Sequence, residues 1–488
     1  MAGERDYRRV STGLQMGRHL AVLFSDLQRQ SDAWLRVPRE RMVAAIAEYR
    51  YLAESLAGQY GCLYREWAGD GHMFLFESPD AAAQFGLRLI ENWQIANREL
   101  AALRDGPELP LRLGCHFGEC TRLDGEEAWI GRANAVAKRV ESQAEANTLY
   151  VTAAVLDLID LPLYSFAEAG AHELQGDFLP QRMLYRLVDF DEQALEQKPE
   201  HELSAEEWFL RGVSMIGTER EWSDDEADCY RKAIELRGDY VEAHMNLAVL
   251  LNARRDAAGA VEHYREALRL RPNYSEAHYN YAVFLTARGS VAGAAEHLRE
   301  ALRLRPEYVD AHHAYANLLA AREDESSAAE HYEEALRLRP EDAAVHVDYA
   351  ILLERIGDLD AATHHYEESL RIRPDPAAHY NYALSLETRG EPTLAELHYR
   401  EAVRRWPDYG EAHNNLAILL QLRGDLDEAE RHYLAALEAR PEDPETHYNY
   451  ALLLRSRGSS DEAQLHFRTA YELAPDVPTF RSALNRSG

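Results

Sequence analysis

The sequence predicts an α+β domain followed by an all-α array of helical repeats. Two observations lead to this order. Short apolar runs alternate with amphipathic helical patterns over roughly the first 190 residues. From about residue 207, proline and alanine recur about every 34 residues. A chain of 488 residues also exceeds what one hydrophobic core usually supports, so two or more domains are expected.

The α+β domain begins with a strand, a helix and a hairpin. Leu20–Phe24 is a short apolar strand, and residues 38–59 have the spacing of an amphipathic helix. Leu63–Trp67 and Met73–Phe76 flank a Gly-Asp-Gly sequence at 69–71, which is typical of a hairpin turn. The remaining elements are a helix over 79–104, a strand at Leu111–Cys115, a helix over 132–145, a strand at Leu149–Val151 and a hairpin near Ala171–Leu187.

The repeat array is defined by residues that recur in register. Proline ends each repeat, where it stops a helix, at Pro272, Pro306, Pro340, Pro374, Pro407, Pro441 and Pro475. The pattern resembles the tetratricopeptide repeat (TPR), a family that stacks helix pairs into a curved solenoid. The resemblance implies a protein or peptide ligand in the groove. Recurring asparagines such as Asn280 could hydrogen-bond the backbone of such a peptide, or they could be neutral copies that came with repeat duplication.

Histidine also recurs at two positions of each repeat, for example His413 and His432. One interpretation is a pH sensor or a ladder of metal ligands. The other is a packing residue that was copied whenever the repeat was duplicated. We favour packing, because duplication copies packing residues together with everything else.

Three segments of the α+β domain carry a second resemblance. Asp26 ends the first strand, and Asp70 is the middle of the Gly-Asp-Gly turn. Residues 112–119 read Arg-Leu-Gly-Cys-His-Phe-Gly-Glu, and residues 131–142 read Gly-Arg-Ala-Asn-Ala-Val-Ala-Lys-Arg-Val-Glu-Ser. Together these resemble the catalytic core of class III nucleotide cyclases, the adenylate/guanylate cyclase family. The element order fits the ferredoxin-like α+β sandwich of that family.

The resemblance implies a metal-dependent active site. It assigns Asp26 and Asp70 to two divalent metal ions, Mg²⁺ or Mn²⁺, with the backbone carbonyl of Leu27 assisting. Such ions lower the pKa of the ribose 3′-hydroxyl and steady the leaving pyrophosphate. Arg139 falls on the family's transition-state arginine, a role that suits a planar, permanently charged donor. In this family the site forms between two protomers, so activity implies a homodimer.

Each of these residues also has a structural interpretation. Alone, Asp26 would be a strand-end or capping residue and Asp70 a turn residue. Arg139 alone would be a surface ion-pair residue. The joint occurrence of the three at family spacing favours the cyclase site.

Two family positions of the catalytic machinery hold other residues. The position of the catalytic asparagine is Ala135, and Asn134 stands one residue earlier. One residue is about 100° of rotation on a helix, so Asn134 replaces the asparagine only if the helix is locally reset. The lysine that grips the triphosphate aligns with Gln175, which can hydrogen-bond but carries no charge.

The phosphate loop departs from the family as well. Arg29 stands where a glycine is usual, and Ser31 occupies the usual hydroxyl position. The chain has only three lysines, Lys138, Lys198 and Lys232. We therefore hypothesise that Arg29 or Lys138 supplies the missing positive charge to the triphosphate.

The base-selecting positions favour GTP mildly. Glu66, four residues before Asp70, stands where guanylate cyclases carry glutamate, and it can accept hydrogen bonds from guanine. The second selector is Ala128, three residues before Gly131, and it favours neither purine. A pyrimidine triphosphate stays open as the substrate.

Charge and cysteine usage exclude several classes of protein. The net charge of −31 opposes binding to nucleic acid or anionic membranes, because like charges repel. The sequence lacks both an apolar run that could span a bilayer and a signal-peptide pattern. The cysteines show no metal-ligand spacing and no disulfide framework, so we expect free thiols and a cytoplasmic protein. They are Cys62, Cys115, Cys120 and Cys229.

Two functions follow from this organisation. We predict an N-terminal extension (1–17), a cyclase domain (18–190), a linker (191–206), about eight TPR units (207–477) and a capping helix with a tail (478–488). The first hypothesis is a homodimeric cyclase that the repeats regulate. The second is a catalytically degenerate dimerisation or sensor domain on a protein-interaction scaffold, supported by Gln175, Ala135 and Arg29.

Overall fold

The computed structural model describes residues 18–27, 39–68, 71–104, 108–122, 129–172, 174 and 182–486. The chain divides into two compact units, one ending at Leu318 and the other beginning at Leu319. The first unit contains the N-terminal sheet domain and the first helix pairs. The second unit contains the later helix pairs.

A mixed sheet forms the frame of the N-terminal domain. Its strands are β1 (Arg18–Leu27), β2 (Tyr64–Ala68), β3 (Gly71–Phe76), β4 (Leu111–Arg122), β5 (Trp129–Ile130), β6 (Thr148–Thr152), β7 (Tyr164–His172) and β8 (Arg182–Phe190). The order across the sheet is β2-β3-β1-β4-β6-β8-β7, and β5 pairs with β4 outside this path. Strands β4 and β6 run parallel, whereas the other neighbours are antiparallel. Each predicted strand lies in this sheet, and β5 is an addition to the prediction.

Both faces of the central strands are buried. The helices of this domain are α1 (Arg39–Gln59), α2 (Pro79–Arg104), α3 (Arg132–Gln143), α4 (Ala153–Leu156) and α5 (Glu192–Gln197). Successive strand residues point to opposite faces, so Ala21 and Leu23 join the core on α1 and α2. Leu20 and Val22 join a second core with Ala133 of α3. We call this second face the α3 face of the sheet. Burial on both sides explains why β1 is a continuous apolar run.

Gly114 allows α3 to lie directly on β4, which gives a first prediction. A Cβ at Gly114 would stand 2.0 Å from the backbone nitrogen of Glu141 and 2.4 Å from its Cα. Because these are backbone atoms, the whole helix would have to shift. We expect Gly114→Ala to lower the free energy of unfolding by about 3 kcal/mol, measured by chemical denaturation.

Gly118→Ala is the control for this prediction. Its nearest neighbours are side-chain atoms, Ala133 Cβ and His116 Nε2, both at 3.2 Å. We expect a loss of about 1 kcal/mol or less, because side chains can adjust by small amounts. Equal losses in the two variants would contradict the close approach of α3 at Gly114.

The repeat array consists of helix pairs. Over the described residues 205–486 the helices are α6 (Ala205–Val213), α7 (Asp224–Leu236), α8 (Val241–Ala253), α9 (Ala257–Leu270), α10 (Ser275–Ala287), α11 (Val291–Leu304), α12 (Val309–Ala321), α13 (Glu325–Leu338), α14 (Ala343–Ile356), α15 (Leu359–Ile372), α16 (Pro376–Thr388), α17 (Pro392–Arg405), α18 (Gly410–Arg423), α19 (Leu426–Ala439), α20 (Pro444–Ser456), α21 (Ser460–Leu473) and α22 (Pro478–Arg486). Among the described residues, consecutive helices pack in pairs from α6 to α11 in the first compact unit and from α14 to α21 in the second, and α22 follows as a single helix. This confirms the predicted all-α array.

The turn inside each pair adopts left-handed backbone at one repeat position. Gly357 and Gly424, for example, cap α14 and α18 with φ of 89° and 100°. The same position holds Arg255 and Glu323 in two other pairs, also with positive φ of 66° and 62°. Glycine is the usual residue there because it lacks the Cβ that makes this conformation costly.

The periodic histidines form hydrogen-bonded pairs that link the two helices of a repeat. His413 Nδ1 lies 2.8 Å from His432 Nδ1, and His413 Nε2 lies 2.9 Å from the carbonyl oxygen of Pro407. A carbonyl only accepts, so His413 donates through Nε2 and accepts at Nδ1 from His432. Burial lowers the pKa of both imidazoles, so both rings are neutral at neutral pH, and the contact links the two helices. The same contact joins His244 to His263, His278 to His297, His346 to His365, His379 to His398 and His447 to His466.

These pairs predict a pH dependence of stability. Burial, followed by the field of His413, lowers the pKa of His432 to about 4, below the ordinary value of 6.5. The unfolded chain therefore binds more protons between these values, and the pair's contribution is lost as pH falls from 6.5 towards 4. The loss is about 1.4 kcal/mol for each pKa unit.

The double variant His413→Gln, His432→Gln isolates this effect from the other titrating groups. We expect the difference in unfolding free energy between wild type and this variant to shrink on acidification. Urea denaturation from pH 7 to pH 4 measures it. If this difference in unfolding free energy does not change with pH, protonation of the histidine pair does not destabilise the folded protein, and the prediction is wrong.

The sheet domain and the first helix pairs share one apolar core. A cavity of about 130 Å³ is lined by Tyr60 and Phe76 of the sheet domain together with Phe209 and Tyr240 of the array. The same core includes Leu195 and Leu203, which are buried within the segment 191–206. The predicted linker is therefore packed, and it contains the short helix α5.

Candidate functional site

Asp26 lies near the end of β1, where three strands meet. It pairs in register with Gly71 on β3 and with Arg112 on β4. Gly71 follows Asp70 in the sequence, so this register brings the beginning of β3 beside Asp26. The Asp26 side chain is 15% exposed. A carboxylate is thus held at a strand end that is still reachable from solvent.

Asp26 belongs to a cluster of four charged side chains. Arg112 Nη2 lies 2.6 Å from Asp26 Oδ2 and 3.2 Å from Glu141 Oε1 on α3. Lys138 Nζ lies 2.9 Å from Glu141 Oε2 and 5.6 Å from the centroid of the Phe24 ring. We call Asp26, Arg112, Lys138 and Glu141 the four-charge cluster. Its two carboxylates and two cations balance, which reduces the cost of burying them.

Glu141 is the most buried member of the cluster, with 1% of its side chain exposed. Burial raises the pKa of Glu141, as does the charge of Asp26, whereas Lys138 and Arg112 oppose the rise. Any loss of a cation from this cluster would leave two carboxylates facing each other in a medium of low polarity. Arg112 therefore holds the Asp26 side chain in place.

Hydrogen bonds also hold the end of β1 on the face of the sheet opposite to Asp26. Tyr49 of α1 donates a hydrogen bond to Ser25, and the Ser25 hydroxyl lies 3.5 Å from the carbonyl oxygen of His72 on β3. Burial raises the pKa of Tyr49 well above its ordinary value, so the phenol stays protonated and continues to donate. The strand end that carries Asp26 is thus rigid on both faces.

Glu66 lies on the same face of the sheet as Asp26. On β2, Glu66 stands two residues after Tyr64. Tyr64 and Phe24 of β1 both pack against the second core, on the α3 face of the sheet. Asp26 stands two residues after Phe24, so alternation places both carboxylates on the α3 face. Glu66 is exposed, and its Oε2 accepts a hydrogen bond from the Tyr64 hydroxyl at 3.2 Å. Its position is compatible with contact to a bound base.

Asn134 points into the domain. Its Nδ2 donates to the carbonyl oxygen of Trp129 at 2.8 Å and lies 3.4 Å from Met73 Sδ. Ala135, one residue later on the regular helix α3, is exposed. The helix is therefore not reset, and the amide of Asn134 is used within the protomer. The catalytic role of Asn134 stays a prediction.

Arg139 lies on the same side of α3 as Ala135, one turn further along. It is half-buried, and the Ser142 hydroxyl donates to its carbonyl oxygen at 2.8 Å. Among the described residues, no carboxylate pairs with its guanidinium. Lys138, by contrast, is engaged by Glu141. Of the two predicted cations on α3, Arg139 is the one without a carboxylate partner among the described residues.

Five predicted site residues lie outside the described residues. They are Arg29, Ser31, Asp70, Ala128 and Gln175. Leu27 is described and pairs with Leu111 at the end of β1. Over the described part of the chain, no cluster of three or more His, Cys, Asp or Glu side chains could hold a metal ion. The donor chemistry of Asp26, a hard carboxylate oxygen at a strand end, nevertheless fits Mg²⁺ or Mn²⁺ once a second carboxylate is supplied.

Sequence reasoning missed two members of the four-charge cluster. Arg112 appeared only as part of a motif, because its contact with Asp26 depends on the long-range register of β1 and β4. Glu141 had a local signal, since it stands three residues after Lys138 on a helix and such pairs face each other. That spacing would have predicted the ion pair.

All four cysteines are free and buried. Burial raises the pKa of the Cys62 and Cys120 thiols to about 11 and that of Cys115 and Cys229 to about 12. They are inert structural thiols at neutral pH. No helix of the described chain combines the length and the apolar character that crossing a membrane requires.

Comparison with protein families identifies both parts of the chain. Residues 14–188 match the adenylate and guanylate cyclase catalytic domain. Residues 227–275, 253–309, 313–375, 348–410 and 408–476 match tetratricopeptide repeats. A search of curated proteins found no significant match.

Three solved structures are similar to this chain over part of its length. A chain of the APC/C hetero-tetramer Cut9–Hcn1 has 14% sequence identity and a TM-score of 0.42, and the match covers 61% of this chain. This chain spans 58% of that one. The adenylyl cyclase CyaB from P. aeruginosa has 22% identity and a TM-score of 0.33, covering 36% of this chain and 95% of its own. PilF from Pseudomonas aeruginosa has 19% identity and a TM-score of 0.40, covering 43% of this chain and 97% of its own.

Proposed function

Because this chain contains a class III adenylate/guanylate cyclase catalytic domain followed by tetratricopeptide repeats, we propose that it is a metal-dependent homodimeric nucleotide cyclase. It converts a nucleoside triphosphate into a 3′,5′-cyclic nucleotide. The 3′-oxygen bonds to the α-phosphorus, the bond to the β-phosphate oxygen breaks, and pyrophosphate and one proton leave. The observation that carries the proposal is the shared placement of Asp26 and Glu66 on the α3 face of the sheet.

Asp26 and Asp70 would hold the metal ions, with the carbonyl of Leu27 assisting. Bound divalent ions lower the pKa of the 3′-hydroxyl and neutralise the triphosphate. Arg112 orients the Asp26 carboxylate. Arg139 donates hydrogen bonds to the α-phosphate as negative charge develops there. Ser31, Arg29, Gln175 and Lys138 are the candidates for contacts with the remaining phosphates.

Glu66 and Ala128 would set the base. The exposed Glu66 carboxylate can accept hydrogen bonds from the N1–H and the 2-amino group of guanine, so GTP is favoured over ATP. The small Ala128 imposes no purine preference, and CTP or UTP stays a candidate.

Arg139 and the metal ligands would come from different protomers, as is usual for this family. The repeats would then regulate the enzyme through dimer geometry when a protein or peptide binds their groove. We place the protein in the cytoplasm, an assignment supported by its four free thiols.

The test is a product assay with the full-length protein. Purified protein with Mn²⁺ is incubated separately with ATP, GTP, CTP and UTP, and products are identified by mass spectrometry. We expect one cyclic nucleotide with an equal amount of pyrophosphate, and none from Asp70→Ala. If every triphosphate stays intact, the chain is instead the scaffold with a degenerate domain, which the engaged amide of Asn134 would favour.

A further inference from the structure

We propose that Glu276, on the first helix of the third repeat pair, is a positioning residue of the cyclase site and acts through Arg65 on strand β2. This rests on the proposed cyclase function. The inference comes from a buried ion network that joins the sheet domain to the repeats within the first compact unit.

Strand β2 carries two functions on its two faces. Glu66 lies on the α3 face, where the base is proposed to bind. Its neighbour Arg65 points to the opposite face, because successive strand residues alternate. The Arg65 side chain is 8% exposed, so its charge must be satisfied within the protein. Fixing Arg65 therefore also fixes the rotation of the strand and the direction of Glu66.

The repeats supply the counter-charge of Arg65. Arg65 Nη2 lies 3.0 Å from Glu276 Oε1, and Arg65 Nη1 donates to the carbonyl oxygen of Glu54 at 3.0 Å. Across the described part of the chain, Glu276 is the carboxylate with a direct ion pair to Arg65. Among the described strands, β2 is also an edge strand that bonds only to β3. Its outer anchor is thus Glu276, a residue of α10.

Glu276 is shared with a second arginine. Arg305 Nη1 lies 3.2 Å from Glu276 Oε1, and Arg305 Nη2 lies 3.7 Å from Glu54 Oε2. Burial alone would raise the pKa of Glu276, but Arg65 and Arg305 reverse this and hold it below the ordinary value. The carboxylate is therefore charged at neutral pH. Removing it would leave two buried guanidinium groups competing for Glu54.

The same repeat position elsewhere in the array provides a matched comparison. Glu411 stands where Glu276 stands, and its partner Arg440 stands where Arg305 stands. Among the described residues of the second compact unit, Arg440 is the ion-pair partner of Glu411, which is 44% exposed against 15% for Glu276. The repeat position alone thus explains the pairing with Arg305. It does not explain the pairing with Arg65, which is specific to the third repeat pair.

The experiment compares Glu276→Gln, Arg65→Gln and their combination with Glu411→Gln, all in the full-length protein. Steady-state kinetics with GTP and ATP measure KM, kcat and the preference between bases. We expect Glu276→Gln to raise KM for the preferred triphosphate about fivefold and to narrow the base preference. Arg65→Gln should change KM and the base preference to the same extent. The double variant should show no larger change than either single variant, because the two residues act through one contact. Glu411→Gln should leave KM and the base preference as in wild type.

A merely structural role would give a different result. If Glu276→Gln lowers thermal stability and the active fraction but leaves KM and base preference as in Glu411→Gln, the positioning role is wrong. Glu276→Asp keeps the charge on a shorter side chain, so it should lie between wild type and Glu276→Gln. This second variant decides the question if Glu276→Gln does not fold.

Hydrogen exchange at residues 64–68 separates this inference from the proposed function. We expect faster exchange of these amides in Glu276→Gln and unchanged exchange in Glu411→Gln. A wild type that makes no cyclic nucleotide refutes the proposed function, and exchange alone then decides whether Glu276 positions β2. Unchanged exchange in Glu276→Gln overturns the inference whatever the activity.

Discussion

Replacing Asp26 by asparagine is expected to lower kcat more than about a hundredfold while the protein stays folded. The amide keeps the shape of the side chain but loses the charge that a divalent ion requires. Arg112 keeps its ion pair with Glu141, so the four-charge cluster loses one ion pair and its other contacts remain. Product formation with Mn²⁺ across a range of metal concentrations measures the effect.

Asp157→Asn is the matched control for this variant. Asp157 is an exposed carboxylate of the same domain that follows helix α4, away from the cluster. The same change of charge there should leave kcat and the metal dependence as in wild type. An Asp26→Asn variant that keeps wild-type activity at saturating Mn²⁺ would remove Asp26 from the metal site.

Replacing Arg139 by alanine is expected to lower kcat by about 10²–10³ with little change in KM. The guanidinium would act on charge that appears only in the transition state, so ground-state binding should be less affected. Its lack of a carboxylate partner among the described residues indicates that folding does not depend on it. Initial rates over a range of triphosphate concentrations separate kcat from KM.

Mixing the two inactive variants tests the composite site. If Asp26 and Arg139 belong to different protomers, a heterodimer of Asp26→Asn and Arg139→Ala contains one intact site and one doubly altered site. An equal mixture should therefore recover about a quarter of wild-type activity after subunit exchange. A mixture as inactive as its components would mean that both residues act within one protomer.

Local patterns in the sequence predicted most of the fold. The alternation of apolar runs placed the strands that the sheet contains, and the 34-residue period placed the helix pairs. Strand β5, only two residues long, was missed because so short an element carries no periodicity. The boundary between domain and array was harder, because the apolar residues of 191–206, such as Leu195, are buried in a core that no local pattern reveals.

The site was predicted less completely, and for a physical reason. Motif spacing led to Asp26 and Arg139 because the resemblance is carried by sequence neighbours. The pairing of Asp26 with Arg112 depends on strands that lie far apart in the sequence, and their register is set by the folded sheet. Asn134 was predicted as a catalytic candidate that needs a local reset of the helix, and the regular helix explains why its amide instead contacts Trp129 within the protomer.

The shared core also determines where the protein can be cut. A fragment ending at residue 190 would uncover Tyr60 and Phe76, whose neighbours Phe209 and Tyr240 would be missing. Newly exposed aromatic surface promotes aggregation, so inactivity of such a fragment would say nothing about its chemistry. A fragment ending near Leu318, at the limit of the first compact unit, would keep that surface covered.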